Sequence, residues 1–159
     1  MRRCAIDGDA DQLVHFLKLG AKVSAGNYNQ DTALHMAAMS GMGNCVAPLV
    51  EAKAKLDQQN ASGETPLHLA AAMERLEAIR ALVVHKADME IKNIKGETAM
   101  NCAAGAMAKG AIILLQDLGA YGNWAPLAEA PDLPLRIFLT APFGVEAERK
   151  AFMSEVSLS

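Results

Sequence analysis

Aromatic residues are scarce: Phe, Trp and Tyr make up 4% of the 159 residues, although 52% are apolar. A core of Ala, Leu, Val, Ile and Met, with few rings to fill gaps, suits helices that approach closely through small side chains. Cysteine is sparse too, and Cys4, Cys45 and Cys102 lie far apart with no CxxC pair. That excludes a disulfide scaffold and the paired-thiolate zinc motifs, and it suits a reducing compartment. No basic run interrupts a net charge of −3, so nothing gives a general attraction to phosphate backbones or anionic lipid. The longest apolar runs of the first 123 residues, such as "AIILL" at 111–115, are far too short to cross a bilayer. Asp7 follows Arg2 and Arg3 before any signal-peptide core can form. The expectation is a cytoplasmic or nuclear chain with neither nucleic acid nor membrane as partner.

What the sequence does contain is a period. "DTALHMAAM" at 31–39 returns as "ETPLHLAAA" at 64–72 and, worn, as "ETAMNCAAG" at 97–105. Thr32, Thr65 and Thr98 are 33 residues apart, as are Asn27, Asn60 and Asn93, and the set Ala21, Ala54, Ala87 and Ala120. Leu34, Leu67 and Met100 keep the same lattice, as do the Ala pairs at 37–38, 70–71 and 103–104 and the apolar set Phe16, Leu49, Leu82 and Leu115. A fixed period near 33 is the mark of a stacked repeat array.

Each unit reads physically. The Thr is a helix N-cap and Pro66 stands at a first helical position, where its missing N–H costs nothing. The spacing therefore predicts short helices starting at 33, 66 and 99, with Ala pairs that let a neighbour approach. A turn near Glu74 follows, and then "LEAIRALVVH" places Leu76, Ile79, Leu82 and Val83 on a second, amphipathic helix. A loop through Asn93 and Gly96, where positive φ is expected, leads to the next Thr.

This pattern resembles the ankyrin repeat family, over roughly residues 3–123. The resemblance implies an all-α solenoid of helix-turn-helix units with projecting hairpin-like loops: a truncated repeat at 1–31, then repeats at 32–64, 65–97 and 98–123. The turn Gly of the family is present as Gly8 and Gly41 but is Glu74 and Met107 in the last two copies, and Asn101 replaces the expected His. With Gly105 in or near its first helix, the fourth copy is expected to be the weakest. Arg2 and Arg3 are expected to face solvent at the start of the array.

Beyond residue 123 the composition shifts to Pro and Phe, with Pro126, Pro131, Pro134, Pro142, Phe138, Phe143 and Phe152. Residues 124–159 read as a tail that caps the fourth repeat, or as the start of a linker or further domain.

No reaction can be assigned. His35 and His68 follow the cap Thr by three residues and belong to the turn's hydrogen-bond network, while His15 and His85 have no triad partners. The three cysteines fall at small or apolar core positions. "DGDAD" at 7–11 fails as a calcium loop, because Gln12 and Lys18 stand where Gly and Glu are needed. Asp9 instead caps the second helix, with Gln12 as its capping-box partner. "GMG" at 41–43 lacks the strand and third glycine of a dinucleotide site, and no P-loop occurs.

The resemblance implies that a protein or peptide binds the concave side, made by loop tips and first helices. Carried over by register, the loop tips supply Tyr28, Asn29, Asp31, Gln59, Ala61, Ser62, Glu64, Lys92, Ile94, Lys95 and Glu97, and the first helices supply Ile6, Asp7, Met39, Ser40, Ala72 and Met73. Tyr28, Met39, Met73 and Ile94 are the expected apolar anchors, since interface centres favour aromatic residues and Met. Against this, Met39 and Met73 could pack between helices and Ile94 could be an ordinary exposed residue. The expected protein is a monomeric, non-enzymatic adaptor or scaffold without cofactor or metal. The alternatives are a small kinase inhibitor, or the recognition segment of a larger kinase, ubiquitin ligase or acyltransferase.

Overall fold

The computed structural model describes residues 1–119, and their regular structure is entirely helical. Four helix pairs follow one another: α1 (Arg2–Asp7) with α2 (Ala10–Lys18), α3 (Ala33–Ser40) with α4 (Val46–Glu51), α5 (Pro66–Ala72) with α6 (Leu76–Val84), and α7 (Ala99–Gly105) with α8 (Lys109–Asp117). The first helices start at Ala33, Pro66 and Ala99, behind extended N-cap threonines. The α4 helix is the shortest of the second helices and is entered through a 3-10 turn at Gly43–Cys45. Its Pro48 falls in the first turn, where the lost N–H would have had no helical partner. The expected cap at 124–159 lies outside the described residues.

The first helices stack in series, α1 on α3, α3 on α5 and α5 on α7, with α4, α6 and α8 forming the second layer. The close approach rests on Ala37, Ala38, Ala70, Ala71 and Ala103, all fully buried. Larger apolar side chains fill the space between layers: Leu13, Leu34, Leu49, Leu67, Ile79, Leu82 and Leu115 are each below 2% exposed. Burial of one such side chain stabilises by about 1.5–3 kcal/mol. Two members of the apolar patterns differ. Phe16 is 38% exposed, because among the described residues the first helix pair has a neighbouring pair on one side only. Leu76 is 37% exposed, so α6 packs through Ala78, Ile79 and Leu82 rather than through its first residue.

Backbone handedness repeats with the same period. The described residues with positive φ fall into three families, each spaced by 33: Gly8, Gly41, Glu74 and Met107 between helices; Gly20, Lys53, Lys86 and Gly119 after the second helix; and Gln30, Gly63 and Gly96 in the loop. The fold imposes the left-handed conformation whichever residue is present. At Glu74 and Met107, with φ 54° and 55°, it does so against a preference of about 1–2 kcal/mol.

Candidate functional site

The loops are built around their asparagines. Asn27 Oδ1 accepts from the amides of Asn29 and Asp31, both at 2.8 Å. Asn60 Oδ1 accepts from Ser62 and Glu64 at 2.9 and 3.0 Å, and Asn93 Oδ1 from Lys95 and Glu97 at 2.9 and 3.0 Å. Each side-chain amide then donates to the carboxylate four residues on, Asp31, Glu64 or Glu97. Asn60 Nδ2 also reaches Asp31 Oδ1 of the preceding loop at 2.8 Å. Neighbouring loops are joined through the main chain, Ala61 N to Asn29 O at 2.9 Å and Ile94 N to Ser62 O at 3.2 Å. The tips are held as one rigid row.

The histidines complete this edge. His35 Nε2 donates to Glu64 O at 3.1 Å and His68 Nε2 to Glu97 O at 3.0 Å. A carbonyl can only accept, so Nε2 carries the proton and Nδ1 presents a lone pair. That lone pair accepts from the Thr32 and Thr65 amides at 3.2 Å and from their hydroxyls at 2.9 and 2.8 Å. Both rings are fully buried. Burial lowers their pKa values below the ordinary 6.5, and it outweighs the opposing pull of the Glu64 and Glu97 carbonyls and the nearby carboxylates. In the fourth repeat Asn101 reproduces the local cap, its Oδ1 accepting from Thr98 N at 3.0 Å and Thr98 Oγ1 at 2.8 Å. The hydroxyl half of this cap is weaker than the sequence suggests, at 3.4 Å from Asn101 N to Thr98 Oγ1.

The opposite edge, where the first helix turns into the second, is joined differently at each step. Asn44 Nδ2 donates to Gly8 O at 2.8 Å, Arg75 Nε to Met39 O at 3.0 Å, and Gly110 N to Glu74 Oε1 at 2.6 Å. Sequence reasoning missed these bonds, since their side chains share no residue type; only their common spacing of 36 betrays them.

The predicted site residues fall on both edges. Tyr28 is fully exposed and Ile94 is 75% exposed, and they hold the same loop position two repeats apart. Asn29, Gln59, Ser62, Lys92 and Lys95 are exposed beside them. Gln59 also ties its loop down, donating to Gly63 O at 2.7 Å and Lys92 O at 3.0 Å. Glu64 is half-buried and serves the histidine and asparagine network. Met39 and Ser40, both half-buried, end α3, and Met73, 51% exposed, caps α5. The four expected anchors are thus divided between the two ends of the first helices, Tyr28 and Ile94 on loop tips and Met39 and Met73 at the C-terminal ends, and an eight-residue helix is about 12 Å long. A surface cavity of about 490 Å³ among Met1, Arg2, Arg3, Ala21, Lys22 and Ala25 includes none of them.

Other expectations meet specific geometry. Asp9 caps α2 through the Gln12 amide at 2.9 Å, but the Gln12 side chain turns to Cys4 Sγ at 3.8 Å instead of closing a capping box. Arg3 faces solvent and pairs with Asp7 at 3.5 Å, whereas Arg2 is half-buried and donates to Ala25 O at 3.3 Å. Cys4 and Cys45 are buried, but Cys102 is only half-buried, beside Asn93 Nδ2 and Glu97 Oε2. Burial raises the Cys45 thiol pKa, and burial together with the Glu97 and Glu64 charges pushes Cys102 up to about 11. Neither is a ready nucleophile. Among the described residues, no helix is long and apolar enough to cross a membrane, and no three His, Cys, Asp or Glu side chains converge as a metal site requires.

Stacked helix pairs with a 33-residue lattice and hydrogen-bonded loop tips define a helical repeat solenoid. A family model described as ankyrin repeats, with three copies, matches residues 1–93 and 49–125, and the chain belongs to the ankyrin repeat family. Ankyrin repeats are generally protein-interaction modules. No curated protein matches the chain.

Proposed function

We propose that this chain is a non-enzymatic, monomeric adaptor or scaffold of the cytoplasm or nucleus, binding a protein or peptide on the concave face formed by loop tips and first helices. The observation that carries the reading is the contrast within each loop. The backbone of the tips is satisfied by asparagine, histidine and neighbouring loops, while Tyr28 and Ile94 project with 102% and 75% exposure. All of the Tyr28 side chain and most of Ile94 lie outside the packing of the fold. A partner gains a pre-ordered apolar anchor whose loop needs no further ordering on binding. Asn29, Ser62, Lys92 and Lys95 supply polar contacts around these anchors, and Met39, Ser40 and Met73 a second set at the far end of the first helices.

Affinity capture with the wild-type chain and a Tyr28/Met39/Met73/Ile94 alanine variant tests the surface. Loss of partners from the variant is expected, and identical partner sets would remove this face from consideration. Within the same reading residues 1–123 are the array and 124–159 its cap. Deleting 124–159 should then lower the thermal midpoint, and an unchanged midpoint would dismiss the cap.

A further inference from the structure

We infer that the loop-tip row takes an extended acidic segment of a partner protein, one in which an apolar side chain flanked by carboxylates seats on the third loop. This deepens the interaction-module reading and rests on it. Residues 28, 61 and 94 occupy one position in three consecutive loops and are Tyr, Ala and Ile. The loops are at main-chain hydrogen-bonding distance from each other, 2.9 Å at Ala61 and 3.2 Å at Ile94, so the row is continuous and fixed.

Its charge is one-sided. The first two tips, 26–30 and 59–63, contain no charged residue, whereas the third carries Lys92 and Lys95 on either side of Ile94, all three exposed. Among the described residues neither lysine has a carboxylate within ion-pair distance; the ion pair present is Arg3 with Asp7, in the first repeat. Glu97, two residues beyond Lys95, is half-buried and its Oε2 accepts from Asn93 Nδ2 at 3.0 Å. The tip itself, 92–96, thus carries two cations and no acid around Ile94, with the exposed Glu90 two residues before Lys92. A bare polyanion would use the two ammonium groups and leave Ile94 and Tyr28 unburied. A segment that places an apolar side chain on Ile94 and carboxylates on the lysines uses all of them.

The test is selection of a random peptide library on phage against the whole chain. Individual clones are then measured against wild type, a Lys92→Glu/Lys95→Glu variant and a Tyr28→Ser/Ile94→Ser variant, each checked for unchanged circular dichroism. Enriched peptides should carry Asp or Glu beside an apolar residue and bind at least about 10-fold more weakly to both variants. Changing their acids to Lys should restore binding to the Lys92→Glu/Lys95→Glu protein. Peptides lost on the Tyr28/Ile94 variant but indifferent to charge reversal would overturn this inference alone. Peptides indifferent to both variants and to the Tyr28/Met39/Met73/Ile94 alanine variant, or no enrichment, would overturn it together with the reading it rests on. Retention of duplex DNA or phosphatidylserine vesicles in place of acidic peptides would assign the lysines to a polyanion and overturn it as well.

Discussion

Glu74 accepts the amide N–H of Gly110 at 2.6 Å, tying the inter-helix turn of the third repeat to the first turn of α8. Glu74 stands where the family has glycine and is held at φ 54°, a conformation that costs a non-glycine residue about 1–2 kcal/mol. The bond offsets this, because a carboxylate at a helix N-terminus meets both an unpaired amide and the positive end of the dipole. Glu74→Gly should therefore change stability by less than about 0.5 kcal/mol, gaining in the backbone what it loses in the cap. Glu74→Ala keeps the strain and loses the bond, and should cost about 1 kcal/mol. Urea melts of the pair measure the difference directly.

Met107 occupies the same position one repeat later, at φ 55°, and is 75% exposed. It keeps the strain and buries little. Met107→Gly should stabilise the chain by about 0.5–1 kcal/mol, seen as a rise in urea midpoint at constant slope.

His68 holds the start of its own helix and the next loop at once, through Thr65 on Nδ1 and Glu97 O on Nε2. Asn at this position keeps the cap, as Asn101 does with Thr98, but cannot reach the next loop. Glu97 O retains its bond from Asn93 N at 2.9 Å, so no carbonyl is stranded. His68→Asn should cost about 1–2 kcal/mol, and His68→Ala, which also loses the cap and leaves a cavity, about 2–4 kcal/mol. Equal costs for Asn and Ala in denaturant titration would reject this division of roles.

How much of this was legible differs by level. The 33-residue lattice of Thr, Asn and Ala gave away the helix starts and the small-residue stacking, and the glycines the left-handed turn between helices and the one at Gly96, but not the left-handed residues after the second helices, where Lys53 and Lys86 stand in place of glycine. Gly8 and Gly41 even marked the turn that Glu74 and Met107 share. The inter-repeat bonds of Asn44, Arg75 and Glu74 were not legible. Each uses a different side chain, and a donor in two cases but an acceptor in the third, so no repeated residue type marks them, and their common spacing of 36 shows only once the bonds are seen. The division of the anchors, Tyr28 and Ile94 against Met39 and Met73, was hidden for a related reason: repeat register gives a residue's position along the chain, not the distance between the ends of one helix.

Protonation of His35 or His68 would place a second N–H on Nδ1, against the Thr32 or Thr65 amide that it now accepts. Their folded pKa values lie below 6.5, so between 6.5 and the folded value the unfolded chain binds more protons. Stability is then fully present above about pH 7 and falls as pH drops through 6.5 toward the folded values. Guanidinium melts between pH 7.5 and 5.5, above the ordinary carboxylate range, should show this slope in wild type. The His35→Asn/His68→Asn double variant should show little of it. A slope of the same size in both would place the titration elsewhere.

Asn60 and Tyr28 separate scaffold from contact surface. Asn60 Oδ1 satisfies the amides of Ser62 and Glu64, and its Nδ2 donates to Asp31 Oδ1 at 2.8 Å. Removing it strands loop donors that are already partly shielded from water, so Asn60→Ala should destabilise by about 1–3 kcal/mol. Tyr28, fully exposed, touches nothing that the fold needs, and Tyr28→Ala should shift stability by less than about 0.5 kcal/mol. If the proposed surface is correct, the order reverses in binding. At a temperature where both variants remain folded, Tyr28→Ala should weaken capture of partners more than Asn60→Ala does. An Asn60 variant that lost partners first, while still folded by circular dichroism, would mean that loop shape rather than the projecting side chain carries recognition.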